Sequence, residues 1–230
     1  MRRQAALLAV VLLAGCGGES EQLPQGAETV ELDPADFTTE IDNPWWPMSP
    51  GSRWVYREGE QRVEVTVTPE TKTILGIEAR VVHDVVTEDG EVVEDTLDWY
   101  AQDDDGNIWY LGEDTKEYEG GEVSTEGSWE AGVDGAQPGI LLPAEPKVGL
   151  AYRQEHYAGH AEDRARVLSL DERASVPYDS FRGLLMTEDT TPLDPGLVER
   201  KLYAQDVGPV LALTVKGGSG REELLRFERG

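Results

Sequence analysis

This chain has little cysteine, little histidine and few cations, and each shortage closes off a class of chemistry. A single cysteine among 230 residues leaves no internal disulfide and no thiolate cage for zinc. Lys and Arg number 20 against 46 Asp and Glu, a formal net charge of −26. So anionic a chain repels phosphate backbones instead of displacing their counterions, which excludes DNA and RNA as partners. No GxSxG elbow, HExxH pair, glycine-rich phosphate loop or Walker lysine is present, and no cofactor is implied. Long apolar runs are missing too. The stretch from Ala5 to Leu13 rises only about 14 Å as a helix, against roughly 30 Å of bilayer hydrocarbon. What remains argues for a packed core: 39% apolar residues, six Trp and eight Tyr exclude a wholly disordered chain.

The first residues read as an address. Met1-Arg2-Arg3 is a short basic start, followed by the apolar run and then small residues, the pattern of a secretory signal. Leu13-Ala14-Gly15-Cys16 resembles the lipobox of bacterial lipoproteins. That resemblance implies removal of residues 1–15 as a signal peptide, diacylglycerol on the Cys16 sulfur, and acylation (palmitate) of the new amino terminus. Two or more chains give stable anchoring where one holds only marginally. The expected location is the bacterial cell envelope, lipid-anchored on the extracytoplasmic side of a membrane, with the bilayer as partner through Cys16. Residues 16–43 are acidic, with Pro and Gly and scattered apolar residues but no lasting period. They read as a lipidated flexible tether, about 25–30 Å root-mean-square as a coil.

Beyond residue 43 the chain alternates with period two. Val63, Val65 and Val67 share one face, and two aromatic stretches, residues 97–102 and 108–111, flank an Asp-Gly turn that signals a hairpin. No apolar stripe of helical period lasts three turns, so the fold class is all-β. Self-similarity says more. Tyr100-Ala101-Gln102-Asp103 recurs as Tyr203-Ala204-Gln205-Asp206, each followed by a Gly turn and an apolar strand. Upstream, residues 85–89 stand against 184–189, 63–70 against 165–172, and 54–57 against 150–153. We therefore expect a duplicated antiparallel β unit: repeat 1 over residues 44–134, a Pro/Gly connector over 135–149, and repeat 2 over 150–230, packed as one domain. About a dozen strands make an open sheet curl or split. The expected architecture is a strongly curved sheet, an open barrel or two packed sheets, with little helix.

Pro50-Gly51-Ser52-Arg53-Trp54-Val55-Tyr56 and the run from Trp99-Tyr100-Ala101-Gln102-Asp103 to Gly106-Asn107-Ile108-Trp109-Tyr110 resemble an uncharacterised family of bacterial secreted lipoproteins. Its members combine a PGxxWxY opening, a WYAQDxxGNxWY motif and a later YAPGVGxV-type strand. The third motif departs here, as Tyr203-Ala204-Gln205-Asp206-Val207-Gly208-Pro209-Val210. The resemblance spans about residue 43 to the C-terminus and implies a secreted β fold without an assigned activity.

Candidate sites are few. Between residues 84 and 126, sixteen acids face Lys116 alone, a surface suited to solvation or to attracting cations or a basic protein. Asp103, Asp105 and Asn107 have the alternating oxygen spacing of calcium loops, although the EF-hand pattern fails at Ile108 and Asp114. His156 and His160 have a spacing that suits a metal on a helix but not in the expected hairpin. Trp45 and Trp46, flanked by Pro44 and Pro47, suit either stacking on a ligand or plugging the end of a β sheet. Trp99 and Tyr100 point to opposite faces, as do Trp109 and Tyr110. No catalytic residue is assigned. The leading reading is a non-enzymatic binding or interaction module whose concave face takes an apolar, glycan or peptide ligand. The rivals are a carboxylate-dependent envelope hydrolase and an acidic, cation-responsive surface protein. An apolar-lined cavity favours the first; carboxylates of raised pKa inside a cleft favour the second.

Overall fold

The structure, a computed structural model, describes residues 23–230. The signal peptide, Cys16 and the first tether residues lie outside the described residues. Strand is the only regular element that the period-two alternation sustains. Sixteen strands and one 3-10 turn (Pro34–Asp36) form, with no α-helix among the described residues.

A short β1 (Phe37–Thr38) pairs with β5 and precedes an antiparallel meander of β2 (Arg53–Glu58), β3 (Gln61–Ile74), β4 (Ile77–Glu88), β5 (Glu91–Asp103) and β6 (Ile108–Glu119). Asp89 and Gly90 join β4 to β5 with φ of 52° and 85°, the left-handed pair that lets a tight turn follow the twist of its strands. Three short strands, β7 (Glu122–Ser124), β8 (Trp129–Glu130) and β9 (Gln137–Leu142), all pair with β6. The chain then lays down β10 (Ala151–Arg153), β11 (Glu155–His156), β12 (Arg164–Ser175), β13 (Ser180–Thr190), β14 (Val198–Ala204), β15 (Gly208–Lys216) and β16 (Arg221–Glu228). Strands β10, β12, β13, β14 and β15 form a second meander with the order of the first.

Strand β16 lies between β15 and β2 and unites the meanders on one side. On the other, β9 pairs with β11, which follows β10 after Gln154 alone. The result is a nearly closed antiparallel barrel, the open-barrel form among the expected architectures. Its seam is narrow. Glu155 and His156 pair with Pro138 and Gln137, and the Arg153 guanidinium donates to Pro138 O at 3.0 and 3.1 Å.

Ladder register fixes which positions of the two meanders correspond. Tyr100 and Tyr203 match as the shared motif implies, and Asp98 then matches Lys201. Elsewhere the correspondence differs from the sequence reading. Asp84 matches Asp189, because one lies opposite Thr96 and the other opposite Glu199, four residues before the two tyrosines. Val65 matches Ala165 and Trp54 matches Tyr152. At Val65 and Trp54 the slip from the sequence reading is two residues, after which a period-two pattern looks alike; at Asp84 it is five, which the repeated Thr-Glu-Asp triplet (87–89 and 187–189) concealed.

The tether expectation is corrected in part. Residues 23–43 lie against the barrel: Leu23, Val30, Leu32 and Phe37 pack on the core and Ile41 is buried within it. Arg153, itself 1% exposed, donates to the carbonyls of Gly26 and Glu28, and its own N–H donates to Pro24 O at 2.7 Å. Those apolar residues, spaced irregularly among acids, are what holds a segment that composition alone assigns to solvent.

Candidate functional site

Both Tyr-Ala-Gln-Asp motifs converge on one tryptophan. The loop before β2 is fixed by Gln102, whose Oε1 accepts from Asp42 N and Asn43 N at 2.9 Å each, and whose Nε2 donates to Asp42 Oδ1 at 2.6 Å. From the second motif, Asp206 N donates to Pro44 O at 2.8 Å. The Trp46 ring is thereby held 6.2 Å from Tyr100 and 6.4 Å from Tyr203, the two equivalent tyrosines, and edge-on to Trp54 at 6.2 Å. Gly208, at φ 104°, gives way to it: a Cβ there would sit 2.7 Å from Trp46 Cδ1. Trp46 thus caps the barrel interior between the meanders. Trp45 is 8% exposed, packs in the core, and does not line the cavity described next.

Beneath Trp46 lies a cavity of about 340 Å³. Strands β2 to β6, β9, β11 and β14 to β16 contribute to its wall, whereas β10, β12 and β13 do not. Tyr100, Tyr110 and Tyr203 supply aromatic surface, while Asp84, Glu113, Glu155, Asp163 and Glu222 supply carboxyls. Asp98 stands just behind, accepting from the Tyr110 hydroxyl at 2.6 Å. The one cation in the wall is Lys201, whose Nζ is 3.0 Å from Asp189 Oδ2. Strand parity explains the acids. Asp84 lies opposite Val65, and Asp98 lies two residues before Tyr100, so both share the inward face of their strands.

Taking carboxylates out of water favours their neutral form. Burial, with Asp98 next, pushes Glu113 up to about 9. Burial and then Asp163 push Glu155 up to about 8, against the Trp129 indole that donates to its Oε2 at 2.9 Å. Burial and Glu58 bring Glu222 to about 7. Asp98 reaches about 6, burial outweighing the phenol of Tyr110 that holds it down. Asp84 stands well above the usual carboxylate range and Asp163 above it, chiefly through burial. Lys201 is held above the usual ammonium range by Asp189. Burial thus favours the neutral form most strongly at Glu113 and Glu155, which can donate as well as accept hydrogen bonds in that form.

The other sequence candidates are placed as follows. Asp103 closes its own hairpin: Oδ1 accepts from Asn107 N at 2.7 Å, and Oδ2 from Asn107 Nδ2 at 2.8 Å and Trp109 Nε1 at 2.7 Å. Asn107 Oδ1 accepts from Ala144 N at 2.8 Å, and Asp105 is exposed. The calcium-like spacing thus serves the turn, and no group of three or more metal-ligating side chains converges among the described residues. His160 stacks on Tyr157 at 4.5 Å instead of joining His156. Tyr100 and Tyr110 face the cavity, whereas Trp99 and Trp109 are buried on the outer side under Lys72 and Phe37. Sequence reasoning counted Asp84, Asp98 and Glu113 with the acidic surface and overlooked Glu222. For Asp84, Asp98 and Glu222 the missed signal was alternation, since each sits at a core parity; Glu113 is three residues from Tyr110 and turns inward only through the irregularity at Leu111, which alternation does not show.

No family model matches the chain, and no curated protein matches it. Two solved structures are similar. One, described as an exported protein with a YmcC-like fold from Bacteroides fragilis, is 12% identical, with TM-score 0.45 over 80% of this chain and 99% of that one. The other, described as a lipoprotein from Parabacteroides distasonis, is 12% identical, with TM-score 0.46 over 80% of this chain and 98% of that one. Likeness at this level identifies no family.

Proposed function

We propose that this protein is a non-enzymatic binding lipoprotein of the bacterial cell envelope, moored through acylated Cys16, that holds a small ligand bearing hydrogen-bond donors inside its barrel. The observation that carries the reading is the cavity of about 340 Å³ walled by both meanders and capped by Trp46. Small-molecule sites span roughly 300–1,000 Å³, so this one suits a compact molecule and not a length of polymer. Its lining departs from the apolar surface expected for a lipid-like ligand. The carboxyls and phenols call instead for a ligand rich in hydrogen-bond donors. The lipobox resemblance supports the mooring.

The test is native mass spectrometry of the protein purified from its own membrane. A mass carrying diacylglycerol on Cys16, plus an adduct that survives gentle but not denaturing conditions, is the expected result. A bare thiol at Cys16 in the soluble fraction, with a clean apo mass across preparations, overturns it. A second reading, a carboxylate-dependent hydrolase, draws on the raised pKa values of Glu113 and Glu155. Turnover of an envelope glycan or ester that disappears in Glu113→Gln would replace binding with catalysis.

A further inference from the structure

We infer that the cavity selects a small organic cation, an amine carried on an apolar body, over neutral or anionic molecules of the same shape. This rests on the binding reading above and specifies its ligand class. Asp84 lines the cavity, and its Oδ1 is shielded from solvent with no hydrogen-bond partner. Several shielded polar atoms of the fold lack a partner, the Trp46 indole N–H in the same wall among them, but of the carboxyls that line the cavity Asp84 alone has such an oxygen, which marks a place for a donor from outside the chain. The remaining wall repeats the message. Glu113 faces Asp98, Glu155 and Glu94, and Asp84 faces Asp98, Glu222 and Glu94, with no cation among them. Glu155 faces Asp163 and Asp98, while Glu222 faces Glu58 and Glu199, and each has only Lys201 to oppose the acids. Lys201 is already committed to Asp189 at 3.0 Å. An incoming positive charge is what this arrangement lacks.

The shape of that charge follows from the rest of the lining. Among the described residues the acids do not converge into a cage for a bare metal ion. They are spread around a space bounded by Trp46, Tyr100, Tyr110 and Tyr203, whose π faces attract ammonium groups and cover apolar carbon. An amine on an aromatic or aliphatic body meets both demands. Entry of the cation stabilises an ionised carboxylate in place of a neutral carboxyl, so binding releases a proton. The carboxyl gives its proton to solvent and keeps the electron pair, and no covalent bond to the ligand forms. Affinity should then rise by about tenfold per pH unit for each proton released, across the range where the wall carboxyls are still protonated.

The experiment is calorimetric titration of the intact folded protein with 2-phenylethylamine, 2-phenylethanol and 3-phenylpropionate, from pH 6 to pH 8. The amine is expected to bind at least about tenfold tighter than the alcohol, the acid not at all, and proton release to appear as a heat that varies with buffer ionisation enthalpy. Asp84→Asn and Glu113→Gln should each weaken the amine by a larger factor than the alcohol, narrowing the preference for the amine, with thermal melts confirming that both fold; an undiminished preference in both folded variants overturns the inference. Alcohol binding equal to or tighter than amine binding overturns the inference and leaves the binding reading standing. If no probe binds, the charge of the adduct that co-purifies from the native membrane decides: a cation supports the inference and a neutral or anionic molecule sinks it. Absence of both probe binding and adduct sinks the inference together with the reading beneath it.

Discussion

Replacing Glu155 with Gln should make the protein more stable, and only above mildly acidic pH. Glu155 is 9% exposed, and its Oε2 accepts from the Trp129 indole at 2.9 Å. Burial first and Asp163 second push it from an ordinary 4.5 up to about 8. The folded state thus holds the proton more tightly than the unfolded chain. Stability from this group is fully present below pH 4.5 and lost as pH climbs toward 8, because the unfolded chain sheds its proton while the fold does not. At 1.36 kcal/mol per pH unit the loss is at most about 3 kcal/mol at pH 7 and about 5 kcal/mol once the folded group ionises. Relaxation of Asp163 and Lys201 around the charge reduces both figures. Gln keeps an oxygen for Trp129 and cannot ionise. Urea unfolding of wild type and Glu155→Gln at intervals between pH 4.5 and 9 reads the difference directly. The two stabilities should coincide at the acid end and diverge with rising pH, the variant above the wild type. Parallel curves would refute the reasoning, since they would mean that Glu155 is solvated in the fold.

Three further outcomes follow from the packing. Gly139→Ala places a Cβ 2.3 Å from Gln154 O, a backbone atom across the seam, and should cost about 2–3 kcal/mol in calorimetric unfolding by forcing β9 and β11 apart. Arg153→Met removes the donors to Gly26, Glu28 and Pro138, so limited proteolysis should cut between residues 24 and 33 at rates well above wild type while the barrel stays resistant. Trp46→Ala removes the cap that Tyr100, Tyr203 and Trp54 surround and should cost about 2–4 kcal/mol; an unchanged melting temperature would show that the ring contributes no packing.

The strands, and the pairing of the two Tyr-Ala-Gln-Asp motifs, were legible because period-two patterning and turn chemistry are local. Val63, Val65 and Val67 announce an inward face, and Asp89-Gly90 announces a turn. What was not legible is long-range. Neither motif reveals that it clamps Trp46, since Gln102 reaches back sixty residues to Asp42 and Asn43. The interior acids were hidden by the exterior ones: in a chain with 46 carboxylates, composition does not separate Glu113, which lines the cavity, from its exposed neighbours. Strand parity does separate them once register is known, and register in this chain is set by ladder pairing and loop length.

The strap formed by residues 24–30 along the barrel wall changes the reach of a Cys16-anchored molecule. A twenty-odd-residue leash would let the body roam, but Leu23, the first of the described residues, already packs on the core and stands only seven positions from Cys16. Fully drawn out, that span covers about 25 Å. If Cys16 is acylated, that span is an upper bound on the distance between the lipid graft and the barrel, so the cavity would open within the layer of solution next to the host leaflet.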